Sequence, residues 1–251
     1  MDFILPVIFV SVFILAILYF KFFNTDGISR KLIVITFILK LIAGFSVWLL
    51  YSYYYEPDTA DLFKYYKGGV AVWEATEGNF ADYLRVITGF QGDMGHLHEV
   101  YSKTGHWTRM YDYGLFNDNR TMIRLHALLC LFSFGNIYIH IIVMAFLSFL
   151  GAFALYKALT KISDANKYAL YFAAFFIPSC LFWTSGMLKE GLAMFSLGFM
   201  FYYFVKFRQD FKISDLFAFA IFAALLFVSK IYILPAMAPA LIFFFISEMI
   251  L

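Results

Sequence analysis

The chain has 251 residues, of which 63% are apolar and 22% aromatic while only 14% are charged, and its mean hydropathy is +0.78. That composition excludes a water-soluble globule, a disordered chain, collagen and a coiled coil, because only lipid accepts so much apolar surface. A net charge of +2 predicts neither nucleic-acid binding nor an acidic partner, so the distribution of charge matters more than its sum.

A helix needs about 20 mostly apolar residues to cross the hydrocarbon core. Runs of that kind lie near Phe3–Phe20, Leu32–Tyr54, Ile137–Tyr156, Tyr168–Ser185, Leu188–Val205, Ser214–Ser229 and Tyr232–Leu251. They predict an all-α polytopic membrane protein of about seven transmembrane helices. Residues 1–54 hold two of them, 55–136 form one large outer loop with amphipathic interfacial helices, and 137–251 hold the other five. The first run opens with Asp2 and continues through Tyr19-Phe20 into Lys21. It lacks the basic start and small-residue cleavage site of a signal peptide and is expected to stay as an anchor.

Orientation follows from the short connections. Lys21, Arg30, Lys31, then Lys157, Lys161, Lys167, then Lys206, Arg208, Lys212 alternate with connections holding only Lys189 and Lys230. By the positive-inside rule the loop between the second and third spans faces outward. The expected location is a bacterial inner membrane with that loop in the periplasm.

Within the loop, Asn79 to Ile87 repeats apolar residues at helical spacing, and a second interfacial helix is expected over Met122–Phe134, where Arg124 and His126 interrupt an apolar run. His96-Leu97-His98-Glu99, near Asp93 and His106, has the residue types of a metal site but no defined third ligand, and reads as solvated loop. Cys130 and Cys180 sit alone in apolar runs and read as space-filling. Walker, Rossmann, HExxH and Gly-x-Ser-x-Gly patterns are missing from the sequence.

The predicted topology brings four polar sets to the outer surface: Glu56, Asp58 and Asp61; Asn117 to Arg124; Lys189 with Glu190; and Lys230. Charges at a membrane boundary are costly and point to function. Pro57 is expected to open a helix on which Asp58 and Asp61, three apart, share a face as base or metal ligand; either Asp alone fits a helix cap as well. Lys189, at a helix start, is placed to bind phosphate, against the alternative of snorkelling to headgroups. Lys230, in a very short turn, needs a counter-ion or a lipid phosphate. Arg120 and Arg124, four apart, suit bidentate pyrophosphate binding or headgroup anchoring. Lys40, deep in the second run, reads as structural, with Glu248 as its acidic candidate at similar depth.

Glu56-Pro57-Asp58-Thr59-Ala60-Asp61 followed by Tyr65-Tyr66, the amphipathic loop helices, and the hairpin Phe182-Trp183-Thr184-Ser185-Gly186-Met187-Leu188-Lys189-Glu190 together resemble the GT-C glycosyltransferases. The resemblance covers about Leu32 to Leu251. Two spans rather than one precede the acidic loop and fewer follow it, which is the pattern expected of a truncated member. The resemblance implies sugar transfer from a polyprenyl-phosphate donor to an acceptor on the outer face, in envelope glycan synthesis. Asp58 or Asp61 would deprotonate or orient the acceptor hydroxyl, and Lys189, Lys230, Arg120 and Arg124 would stabilise the leaving phosphate. Its implied partners are the lipid-linked sugar donor and membrane lipid. A divalent metal is compatible with it but not required, and no metal ligands are assigned. A transporter or flippase of lipid-linked saccharides, a polysaccharide polymerase and a non-catalytic membrane scaffold are the alternatives.

Overall fold

A computed structural model describes residues 3–57, 59–92, 94–107 and 118–250, and among these every regular element is helical. The order is α1 Ile4–Tyr19, a 3-10 turn Lys21–Phe23, α2 Arg30–Tyr53, α3 Asp61–Ala75, α4 Phe80–Thr88, α5 Leu97–Lys103, α6 Asp118–Ser133, α7 Ile137–Ile162, α8 Lys167–Phe175, α9 Pro178–Trp183, α10 Lys189–Asp210, α11 Ile213–Ser229 and α12 Ile233–Ile250. Ser29, Asn79, Asn136 and Asn166 accept a backbone N–H from the first turn of α2, α4, α7 and α8 respectively. Two of the helices, α2 and α7, are long and apolar enough to cross a membrane. Large apolar side chains stand exposed along α1, α11 and α12, among them Val7, Val12, Phe217 and Phe243.

All seven apolar runs are helical, but the fourth is not one helix. It breaks between α8 and α9, where Ile177 is extended (ψ 117°) ahead of Pro178, which has no N–H to continue the ladder. A second difference concerns Pro57. Instead of opening a helix, it lies in a turn whose Glu56 carbonyl accepts from Thr59 N and Ala60 N, both at 3.1 Å. The helix starts at Asp61, which therefore complements its positive end.

The bundle is organised on α7. Gly151 of α7 and Gly198 of α10 bring the two backbones into contact: a Cβ on Gly198 would fall 1.9 Å from the Gly151 carbonyl oxygen. Such small-residue crossings let helices associate without a hydrophobic drive. On the other side of α7, Phe37 of α2 and Phe149, Phe153 and Phe175 form a buried aromatic core, joined by the stacked pair Phe13–Phe146 at 4.0 Å. The segment α3 to α6 packs a core of its own from Val72, Val86, Leu97, Trp107, Ile123 and Ala127. A second cluster, with Tyr65, Met122, Met144 and Met187, ties that segment to α7 and the α9–α10 hairpin.

Polar contacts gather at the two ends of the bundle. At one, Arg30 donates to Ile17 O, Phe20 O and Asn24, Lys157 to Phe22 O at 2.8 Å, Lys161 to Gln209 at 2.9 Å and Lys206 to Asp215 at 2.8 Å. At the other, α6 meets the α9–α10 hairpin and the α11 terminus, where Thr121 donates to Val228 O at 3.0 Å.

Candidate functional site

The second end holds most of the expected site. Lys189, the first residue of α10, is buried with its Nζ 2.6 Å from Asp118 Oδ2 and 2.9 Å from Asn119 Oδ1, above the Tyr65 ring at 5.2 Å. The next residue, Glu190, accepts from Lys230 Nζ at 2.6 Å. Burial opposes the Lys230 charge, but the Glu190 carboxylate and the Tyr232 hydroxyl outweigh it and raise its pKa. Two lysines separated by 41 residues are thus held by adjacent hairpin positions and by α6, each against a carboxylate.

Asp61 is 60% exposed in its side chain and 3.9 Å from Lys64 Nζ. Tyr51, near the end of α2, lies within electrostatic reach of both Asp61 and Glu190, which links the acidic turn to the hairpin. His106 also faces Asp61 and Lys64. Its partial burial and the Lys64 ammonium lower its pKa while Asp61 opposes them, favouring a neutral imidazole. Asp58, Asp93 and Asn117 lie outside the described residues.

The two arginines are placed differently from the lysines. Arg120 Nε donates to Trp107 O at 2.9 Å and Arg124 Nε to Val86 O at 2.8 Å, and both guanidinium carbons stand over the Trp107 ring, at 5.6 and 5.3 Å. This arrangement ties α6 to the loop segment. His96 is 3.0 Å from Asp82, which also binds Arg85 at 2.6 Å, and the two partners hold the Asp82 carboxyl below the usual range. Among the described residues no group of three or more His, Cys, Asp or Glu is arranged to hold a metal ion.

Two buried polar clusters complete the picture. Lys40 Nζ donates to Thr184 Oγ1 at 2.9 Å and Ser185 Oγ at 3.2 Å. Those hydroxyls donate onward to the Cys180 and Leu181 carbonyls of α9, at 2.5 and 2.6 Å, so their lone pairs face the ammonium. The other cluster is a histidine pair that sequence reasoning missed. His126 Nδ1 and His140 Nδ1 are 2.8 Å apart, and Ser133 Oγ is 2.7 Å from His140 Nε2. Both rings are fully buried, and Tyr66 packs edge-on against His140 at 5.2 Å. A lone His in each of two apolar helices was the available signal; their pairing is a tertiary fact.

Neither a family model, nor a curated protein, nor a solved structure matches this chain.

Proposed function

We propose that the chain is a polytopic membrane protein of seven spans, with α8 and α9 together forming the fourth. In this reading it is a glycosyltransferase that moves a sugar from a polyprenyl-phosphate donor to an acceptor on the outer face. The observation that carries this reading is the convergence at one end of the bundle of groups far apart in sequence: Asp61 with His106, the Lys189–Asp118–Asn119 group and the Lys230–Glu190 pair. Asp61, exposed at the start of α3, supplies an oxygen that can take a proton from an acceptor hydroxyl. The lysines supply a cationic edge for the phosphate that departs when the anomeric carbon is attacked. A lipid-linked donor also accounts for a sequence without a nucleotide-binding motif. The test is sugar transfer in reconstituted membranes supplied with polyprenyl-phosphate sugars. Asp61→Asn is expected to lower transfer by about 100-fold or more with unchanged membrane insertion, and Asp58→Asn is its companion. Full activity in both variants would overturn the assignment.

A second reading, transport of a lipid-linked anion, draws on the Lys40 cluster. A deep cation held by hydroxyls at the end of the short helix α9 is a feature of transport paths. Loss of flux in Lys40→Met, with transport undiminished in Asp61→Asn, would favour it over sugar transfer.

A further inference from the structure

The turn that joins α3 to α4 borders a small cavity of about 290 Å³, near the lower end of the range for ligand pockets, about 300 Å³. The chain bends there at Gly78, whose φ of 81° costs glycine nothing, and a methyl group at that position would meet nothing within 4 Å. Thr76 closes α3 by donating its hydroxyl to Val72 O at 2.7 Å, and Asn79 opens α4 by accepting from Asp82 N at 3.2 Å. The lining follows from these two helix ends. Trp73 comes from α3, Phe80 and Tyr83 from α4, Leu131 from α6, and Glu77 from the turn itself.

Three aromatic side chains and one carboxylate therefore share one cavity. The Tyr83 ring is fixed by its hydroxyl, which donates to Ala127 O at 2.9 Å, and Phe80 stacks beside it with centroids 6.0 Å apart and planes at 18°. Packing does not account for the rest of the set. Neither Trp73 nor Phe80 belongs to the core of the α3–α6 segment, and Phe80 is 64% exposed. Among the described residues Glu77 is the only charged group that lines the cavity, and no basic side chain pairs with it. Aromatic faces present negative potential to a cation, and the carboxylate adds a full charge. A primary ammonium would bring three N–H donors to a lining that offers few acceptors besides Glu77, whereas a trimethylammonium brings none and suits aromatic walls.

We propose that this cavity binds a trimethylammonium group, held against Trp73, Phe80 and Tyr83 with Glu77 as its counter-ion. Two sources carry that group, a phosphatidylcholine headgroup and a free small molecule such as choline, and the test separates them. Trp73 lies twelve residues along α3 from Asp61, about 18 Å at 1.5 Å per residue, so the inference does not depend on sugar transfer.

The test is calorimetric titration of choline chloride into the full chain in nanodiscs, one set made of equal phosphatidylglycerol and phosphatidylethanolamine and the other of equal phosphatidylglycerol and phosphatidylcholine. In the ethanolamine set choline is expected to bind saturably and about tenfold more tightly than 3,3-dimethylbutanol, its neutral isostere. Phe80→Leu, which keeps apolar bulk and removes the ring, and Glu77→Gln should each weaken choline binding by about fivefold, while Phe80→Tyr leaves it nearly unchanged. Both positions are exposed, so these variants keep the fold. Weaker choline binding in the phosphatidylcholine set would assign the site to the lipid headgroup, and equal binding in the two sets would assign it to a free molecule. Lack of saturable binding in the ethanolamine set, equal affinity for dimethylbutanol, or affinity unchanged in both Phe80→Leu and Glu77→Gln would overturn the site. None of these results bears on transfer at Asp61, which is measured with the sugar donor.

Discussion

The histidine pair shows how a single buried contact sets a pH response. His126 lies wholly inside the α3–α6–α7 junction, and among the described residues its Nε2 has no hydrogen-bond partner. Burial, reinforced by the neighbouring His140, holds its pKa well below the ordinary 6.5. In the unfolded chain the imidazole takes up a proton near 6.5, whereas the folded protein resists it until well below that. The stability contributed by the neutral ring is therefore complete above pH 6.5 and lost progressively as pH falls toward the folded value. The melting temperature in detergent is expected to drop between pH 7 and pH 5, and His126→Phe should flatten that slope. An identical slope in the variant would place the pH response elsewhere. Of these contacts, the end of the bundle that carries the α9–α10 hairpin was legible as a plane: charge alternation along the chain put Lys189, Glu190, Lys230 and the residues before α7 together. The specific bonds were not legible, because hydropathy reports how deep a residue sits and not which residue faces it.

For the helices, legibility follows length. Each apolar run gave a helix because its periodicity and composition act within one segment, and Asn79 and Asn136 marked two starts with their own side chains. The failures are local competitions. Pro178 outweighs an otherwise apolar run and divides it into α8 and α9, and the closed turn at Glu56 delays α3 to Asp61. The seven-residue α5 arises where a solvated loop was expected, since Leu97 and Val100 find buried places against α3 and α6. The strongest constraint between elements is the α7–α10 crossing. A methyl group at Gly198 meets the backbone of Gly151, which no rotamer can relieve, whereas a methyl group at Gly95 meets nothing within 4 Å. Gly198→Ala should therefore cost about 1–3 kcal/mol or more by overpacking and lower the melting temperature by several degrees, while Gly95→Ala leaves it nearly unchanged. Equal melting of the two variants would mean that α7 and α10 do not cross as closely as described.

Taken as a whole, and apart from the buried Lys40, the molecule gathers its paired charges into two end zones with an apolar surface between them. Arg30, Lys157, Lys161 and Lys206 find their acceptors at one end, and Lys189 and Lys230 theirs at the other. Aromatic and aliphatic side chains of α1, α11 and α12 stand exposed between the zones, a surface that water would penalise and lipid would not. The zones also differ in kind. The basic end binds Lys157 to a carbonyl, Lys161 to an amide and Lys206 to a carboxylate, while the opposite end holds both Lys189 and Lys230 against carboxylates and bears the α3–α6 segment. If the basic end is cytoplasmic, a cysteine at Glu77, exposed on the turn between α3 and α4, should react with a membrane-impermeant maleimide in intact cells. A cysteine at Asp164, exposed on the turn between α7 and α8, should react only after permeabilisation. The background for both is Cys130→Ala with Cys180→Ala, which removes the two native thiols. The reverse labelling pattern would invert the topology and put the lysine–carboxylate site on the cytoplasmic face, where a nucleotide-linked sugar becomes the accessible donor. Labelling of both positions in intact cells would show that the chain does not lie across the membrane, and the separation of charge would then need an explanation other than a bilayer.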